Sequence, residues 1–225
     1  MNKLNPRQQQ AVKYIDGPLL VLAGAGSGKT SVITRKIAYL IEQCGISSKR
    51  ICAVTFTNKA AKEMRERVSH LIQGKAAEGL SISTFHTLGL NILKREHSHA
   101  GLKNGFTIFD DTDVNTLITE LLLHTPSGDT SKKDTIRYLI SKWKNDLVEP
   151  SRAASHASDH DELFAAQVYG EYDRHLRAYN AVDFDDLISL PVFLFRQHAA
   201  ILERWQNRIH YLLVDEYQDT NSAQY

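Results

Sequence analysis

The chain has 225 residues with 42% hydrophobic content, enough for one large domain or two small ones with a real core. Lys and Arg number 27 against 26 Asp and Glu, a formal net charge of +1, so no global basic field advertises nucleic acid and any such site is a local groove. A polar N-terminus, no run of about eighteen apolar residues, and Cys44 and Cys52 set within helix and strand patterns predict a cytoplasmic protein with buried, reduced thiols and no membrane partner.

In chain order, Asn5-Pro6 opens a short helix that Gly17-Pro18 ends. Residues 19–22, all apolar, read as a short buried strand, followed by a glycine-rich turn. Lys29-Thr30 opens an amphipathic helix with Ile33, Ile37, Leu40 and Ile41 on one face, stopping near Gly45. Residues 50–56 read as a second strand. Asn58 reads as the N-cap of a helix with Ala61, Met64, Val68 and Leu71 on its apolar face. A loop over 74–79, a third strand over 80–83 and a helix over 87–96 follow. Strand and helix alternate as in a parallel sheet with right-handed crossovers.

Near His97 the rhythm changes to helical periods with little strand, continuing to Asn180. Asp111 or Thr112 caps a helix carrying Val114, Leu117, Ile118 and Leu121. A second carries Ile136, Leu139, Ile140 and Trp143, and a third Ala165, Tyr169, Tyr172, Leu176 and Tyr179. Loops over 125–131 and 149–161 separate them, so the stretch reads as an all-helical insertion. Helices over 183–196, kinked at Pro191, and over 199–206 precede an apolar strand at 209–214 that ends in Asp215-Glu216.

Strand, glycine-rich loop and helix together are the setting of a phosphate-binding P-loop. Backbone N–H groups of Gly24, Ala25, Gly26, Ser27 and Gly28 can turn around an anionic oxygen, and the helix N-terminus adds partial positive charge. Lys29 would reach the β- and γ-phosphates of ATP and the Thr30 hydroxyl would hold Mg²⁺. Ala23 stands where the strict pattern has its first glycine. Paired acids at the end of an apolar strand are the expected complement. Asp215 would hold Mg²⁺ and Glu216 would orient or deprotonate the attacking water, although an Asp-Glu pair alone is as readily a surface feature.

Several stretches together identify a resemblance. They are 4–12 (Leu-Asn-Pro-Arg-Gln-Gln-Gln-Ala-Val), 22–30, 53–61 (Ala-Val-Thr-Phe-Thr-Asn-Lys-Ala-Ala), 83–86 (Ser-Thr-Phe-His), 183–187 (Asp-Phe-Asp-Asp-Leu) and 213–221 (Leu-Val-Asp-Glu-Tyr-Gln-Asp-Thr-Asn). In order and spacing the chain resembles the UvrD/Rep family of superfamily one DNA helicases over nearly all of its length. That family tolerates alanine at the position of Ala23 and commonly has Arg where this chain has Ser31.

The resemblance implies an α/β fold: a RecA-like P-loop NTPase domain (1A, residues 1–97 and 181–225) interrupted by an all-helical domain (1B, residues 98–180). It implies that Gln8 bonds the adenine edge, where the residues alone suggest a capped, solvated Gln run. It implies that Phe56 stacks on a base of single-stranded DNA while Thr55, Thr57 and Asn58 contact phosphate, and that Thr84, Phe85 and His86 touch the DNA backbone. Gln218 would sense the γ-phosphate. Phe184 would be a further DNA contact, although the acids around it read by themselves as helix caps. The expected function is the front part of an ATP-driven 3′–5′ helicase acting on single-stranded and forked duplex DNA in replication or repair, with replication or repair proteins as partners. A helicase–nuclease subunit shares these motifs. A fragment that binds ATP and DNA without turnover is a second alternative, and an unrelated P-loop kinase or transporter ATPase, disfavoured by residues 55–61 and Gln218, a third.

Overall fold

A computed structural model describes residues 4–24, 26–72, 74–126 and 128–225. Its elements, in chain order, are α1 (Pro6–Lys13), α2 (Lys29–Glu42), β1 (Ile51–Thr55), α3 (Asn58–Leu71), β2 (Ser81–Thr84) and α4 (Phe85–Glu96). There follow β3 (Thr107–Ile108), α5 (Asp111–Leu123), α6 (Lys133–Asn145), α7 (Pro150–His156), α8 (His160–Ala178), β4 (Ala181–Val182), α9 (Asp186–Gln197), α10 (Ala199–Arg208) and β5 (Tyr211–Val214). The chain is α/β, with a small parallel sheet and many helices. It divides into two compact units, one of residues 1–85 and 202–219, the other of residues 86–201 and 220–225.

The first unit is built on a parallel sheet in the order β2-β1-β5. Central β1 is buried along its whole length, as a strand with neighbours on both sides and helices over it should be. Ile37, Leu40, Met64, Val68 and Ile82 pack with Ile51 and Ala53 into one core, so the apolar stripes expected on α2 and α3 face inward. The N-cap of α3 is Thr57, not Asn58: its hydroxyl accepts from the Ala60 N–H at 3.1 Å. A 3₁₀ turn at Gly74–Ala77 falls in the expected loop.

Residues 19–22 depart from expectation. They form no strand, and Leu20 and Leu22 are 62% and 87% exposed. An apolar run becomes a strand only against a ladder partner. Among the described residues β5 pairs with β1 alone, and nothing pairs with 19–22.

In the second unit α5, α6 and α8 pack around Leu117, Ile118, Leu122, Ile136, Ile140, Trp143, Tyr169, Tyr172 and Leu176. The Trp143 and Tyr169 rings stack at 5.9 Å between centroids. Asp110, one residue before the expected caps, starts α5 in a capping box with Asp113. Two features went unread in the sequence. Helix α7 occupies most of the expected 149–161 loop, opened by Pro150 at its first position. The two-residue strands β3 and β4 pair in parallel, Thr107 opposite Ala181 and Ile108 opposite Val182. Helix α9 begins at Asp186 rather than 183, with Pro191 buried inside it. Cys52 is buried and Cys44 partly exposed; both are free thiols. Among the described residues no helix is long and apolar enough to cross a membrane.

Gly89 marks a close approach between α4 and α9: a Cβ there would lie 1.7 Å from the Leu187 carbonyl oxygen, with backbone that cannot swing away. Gly89→Ala is expected to cost about 3 kcal/mol or more, as overpacking against rigid backbone does. Gly170→Ala, in α8 with nothing within 4 Å of the added methyl, is expected to gain about 0.5–1 kcal/mol. Thermal melts of the two variants check both signs.

Candidate nucleotide and nucleic-acid site

Parallel pairing fixes where side chains gather. The register sets Val54 opposite both Ser83 and Val214 and Thr55 opposite Thr84, so β1, β2 and β5 end together and their following residues emerge at one edge. Asp215 leaves β5 there, its N–H still donating to the Val54 carbonyl at 3.0 Å.

The loop before α2 is shaped by glycine. Gly26 and Gly28 have φ of 73° and 84°, and Gly28 is the left-handed N-cap from which α2 starts. The Ser27 N–H donates to the Gly24 carbonyl at 3.3 Å. Ala25, expected in the same loop, lies outside the described residues. Lys29 and Thr30 fill the first turn of α2, where the helix N-terminus is electropositive.

Both meet the acids. Thr30 Oγ1 donates to Asp215 Oδ2 at 3.4 Å. Lys29 Nζ lies 3.7 Å from Glu216 Oε2 and donates to the Ala23 carbonyl at 3.3 Å. Burial, then the neighbouring charge of Glu216, pushes the Asp215 carboxyl above its ordinary value. Glu216 holds a φ of 52°, rare for a residue with a side chain, and accepts from Gln218 Nε2 at 2.6 Å.

Gln8 stands beside the loop. Its Oε1 accepts from the Asn5 N–H, completing a capping box on α1, and its Nε2 donates to the Ser27 carbonyl at 2.9 Å. Lys36 of α2 donates to the carbonyls of Ala11, Val12 and Tyr14 at the far end of α1. The capping box was readable in Asn5-Pro6-Arg7-Gln8; the tie to Ser27 was not, because it joins positions nineteen apart.

The residues expected to meet DNA fall in both units. In the first, Thr55 and Thr84 are buried at their strand ends, Thr57 and Asn58 are exposed, and the half-buried Phe56 and Phe85 rings tilt together at 5.5 Å. In the second, Phe184 is exposed and its ring stands edge-on to His86 at 6.0 Å.

The acids around Phe184 are not simple caps. Lys144 Nζ, buried, donates to Asp183 Oδ2 at 2.7 Å and Asp186 Oδ1 at 2.8 Å, and the Tyr172 hydroxyl donates to the same Asp183 oxygen at 2.8 Å. Burial and then the Asp183 charge push Asp186 up to about 7. Burial is the largest single influence on Asp183 and acts in the same direction, but the Lys144 charge and the hydrogen bonds from Lys144, the Asp186 N–H and Tyr172 together hold that carboxyl below its ordinary value. Sequence reasoning missed Lys144. The signal was its position: it continues the buried stripe Ile136, Ile140 at the next spacing of four, where a cation requires a buried counter-charge.

Burial lowers His86 below the usual 6.5 of histidine, with Asp185 offsetting part of the effect, so the ring is neutral at pH 7. The unfolded chain takes the proton near pH 6.5 and the folded one only lower, so stability tied to His86 is full above pH 6.5 and declines below it. An NMR titration should place the His86 midpoint below 6.5, and His86→Gln should lessen the loss of melting temperature on acidification.

Residues 4–225 match the UvrD/REP helicase N-terminal domain. The chain is 55% identical to ATP-dependent DNA helicase Rep of Escherichia coli over 99% of its length and 33% of that protein's. It is 54% identical to ATP-dependent DNA helicase Rep of Salmonella typhimurium, over the same shares of both chains. To ATP-dependent DNA helicase PcrA of Staphylococcus aureus it is 44% identical, over 100% of this chain and 31% of the relative. The chain thus spans about a third of the length of these curated relatives. The match over residues 4–225 and the identity to these relatives place the chain in the UvrD/REP helicase family, where it corresponds to the N-terminal domain.

Proposed function

We propose that this chain is the nucleotide-binding and DNA-contacting front part of an ATP-dependent 3′–5′ helicase that translocates on single-stranded DNA and opens forked duplexes in replication or repair. The observation that carries this reading is the meeting of Lys29 and Thr30 with Glu216 and Asp215 at the C-terminal edge of a parallel sheet. Two loops more than 180 residues apart in the chain supply complementary halves of one phosphate site. The names of the relatives support ATP as the nucleotide and DNA as the polymer. The fold we propose is a RecA-like domain 1A, residues 1–97 and 181–225, interrupted by the helical domain 1B, residues 98–180.

In this reading the backbone N–H groups of residues 23–28 and the Lys29 ammonium hold the β- and γ-phosphates. Thr30 and Asp215 are the residues that would hold Mg²⁺. They fit it: both offer hard oxygen donors, and a carboxyl pushed up by burial beside a second acid is one short of a cation. The ion supplies charge neutralisation at the phosphates. Glu216, with its oxygen fixed by Gln218, accepts the proton of the attacking water. Gln8, tied to Ser27, lies where its amide can exchange that carbonyl for an adenine edge.

On the DNA side, Phe56, whose ring meets that of Phe85, provides a face for base stacking, and Thr55, Thr57, Asn58, Thr84 and Phe85 take the phosphate and backbone contacts. His86 and Phe184 form a second pair of contacts on their own unit, His86 acting as a neutral ring.

Two substitutions test the two halves. Lys29→Ala should weaken binding of a fluorescent ATP analogue by about 1.5–3 kcal/mol, the range of a hydrogen bond to a charged group, roughly tenfold to a hundredfold. Its melting temperature should stay near that of the wild type, and unchanged nucleotide affinity would remove the P-loop assignment. Phe56→Ala should cost about 1–3 kcal/mol of single-stranded DNA affinity. A stability loss approaching the roughly 3–5 kcal/mol of a core Phe→Ala, with DNA affinity intact, would mark Phe56 as a packing residue instead.

A further inference from the structure

The turn Asp183-Phe184-Asp185-Asp186 holds one exposed ring among three acids. Phe184 is 52% exposed, while Asp183 and Asp186 are each 5% exposed. The turn first closes on itself: the Asp186 N–H donates to Asp183 Oδ1 at 2.9 Å and the Asp183 N–H to Asp186 Oδ2 at 3.2 Å. That closure sets two buried carboxylates side by side, and Lys144 of α6 reaches both. The next residue, Asn145, takes the third acid. Its Nδ2 donates to Asp185 Oδ1 at 2.9 Å while its Oδ1 accepts from Asn221 Nδ2 at 2.5 Å. Two consecutive residues at the end of α6 thus engage every acid of the turn, and the one side chain they leave exposed is Phe184.

Stability alone is a poor reason for this arrangement. A buried cation between two carboxylates gives little net stabilisation over apolar residues of the same volume, because desolvation offsets the attraction. What it provides is geometry, since a charge-assisted network has one arrangement that satisfies every partner.

We propose that Lys144 and Asn145 are positioning residues for DNA binding: they lock the 183–186 turn so that the Phe184 ring is held outward, against His86, in the orientation that receives a base. The role rests on the reading of Phe184 as a DNA contact. It assigns to α6, a helix with no base or phosphate contact of its own in that reading, control over the strength of one contact.

The test is a set of double-mutant cycles on the 225-residue chain. Binding of a fluorescently labelled oligodeoxythymidylate is measured by anisotropy for Phe184→Ala, Lys144→Met, Asn145→Ala and the two doubles carrying Phe184→Ala. Each single change should weaken binding about fivefold or more, the lower end of what one base–aromatic stack supplies. In the Phe184→Ala background the two α6 changes should alter affinity by less than about twofold, because a residue acting through Phe184 has nothing left to position. Lys144→Met leaves two buried acids without their cation; if it fails to fold, Asn145→Ala, which keeps those charges paired, carries the same comparison. An α6 effect that persists undiminished without Phe184 is general destabilisation and overturns the proposal, as does wild-type affinity in Asn145→Ala or in a folded Lys144→Met. Wild-type affinity in Phe184→Ala itself overturns the DNA-contact reading, and the positioning role with it.

Discussion

The parallel ladder of β1 with β2 and β5 is the constraint on which the first unit depends. Parallel strands point their C-terminal ends the same way, so three segments distant in sequence must deliver their next residues to one edge. Phe56 and Thr57 follow β1, Phe85 follows β2, and Asp215 and Glu216 follow β5. Backbone hydrogen bonds, not side-chain attraction, bring these groups together. The ladder places the acid pair at that edge, and there it meets Lys29 and Thr30 from the start of α2.

That edge also gathers charged and polar groups: two acids, a lysine and a hydroxyl. Asp215 is buried beside Glu216, and the cationic Lys29 near it also donates to a backbone carbonyl. Glycine at 26 and 28 lets the loop turn through left-handed conformations just before α2 starts. Donors, a hydroxyl, a lysine and acids in one place make a poor core but a good receptor for a polyphosphate with its metal, the reading proposed for this family member.

The second unit solves its charge problem differently. Lys144 is enclosed in the interior with Asp183, Asp186 and the Tyr172 hydroxyl, and among the described residues no buried side-chain polar atom lacks a partner. Here the charges are satisfied inside the fold, so they fix shape rather than receive a ligand. The exposed product of that shape is a ring, Phe184, and a neutral histidine beside it.

Local patterns settled much of this in the sequence alone. The stripes of α2, α3, α5, α6 and α8, the turn from Gly24 to Lys29 and the acid pair after an apolar run are all short-range signals, set by a period of 3.6 or by residue chemistry within ten positions. The caps at Thr57 and Asp110 were missed by a residue, since side-chain oxygens one position apart compete for the same N–H groups. Tertiary structure decided the rest. Residues 19–22 look like a strand but have no ladder to join, and strand formation depends on a partner that the segment does not itself encode. Lys144 looks like a solvated helix lysine until α6 is docked and its stripe turns inward. The partners that make it tolerable lie 39 and 42 residues away, a separation that sequence spacing does not register but packing enforces, because a buried ammonium without a carboxylate is too costly to keep.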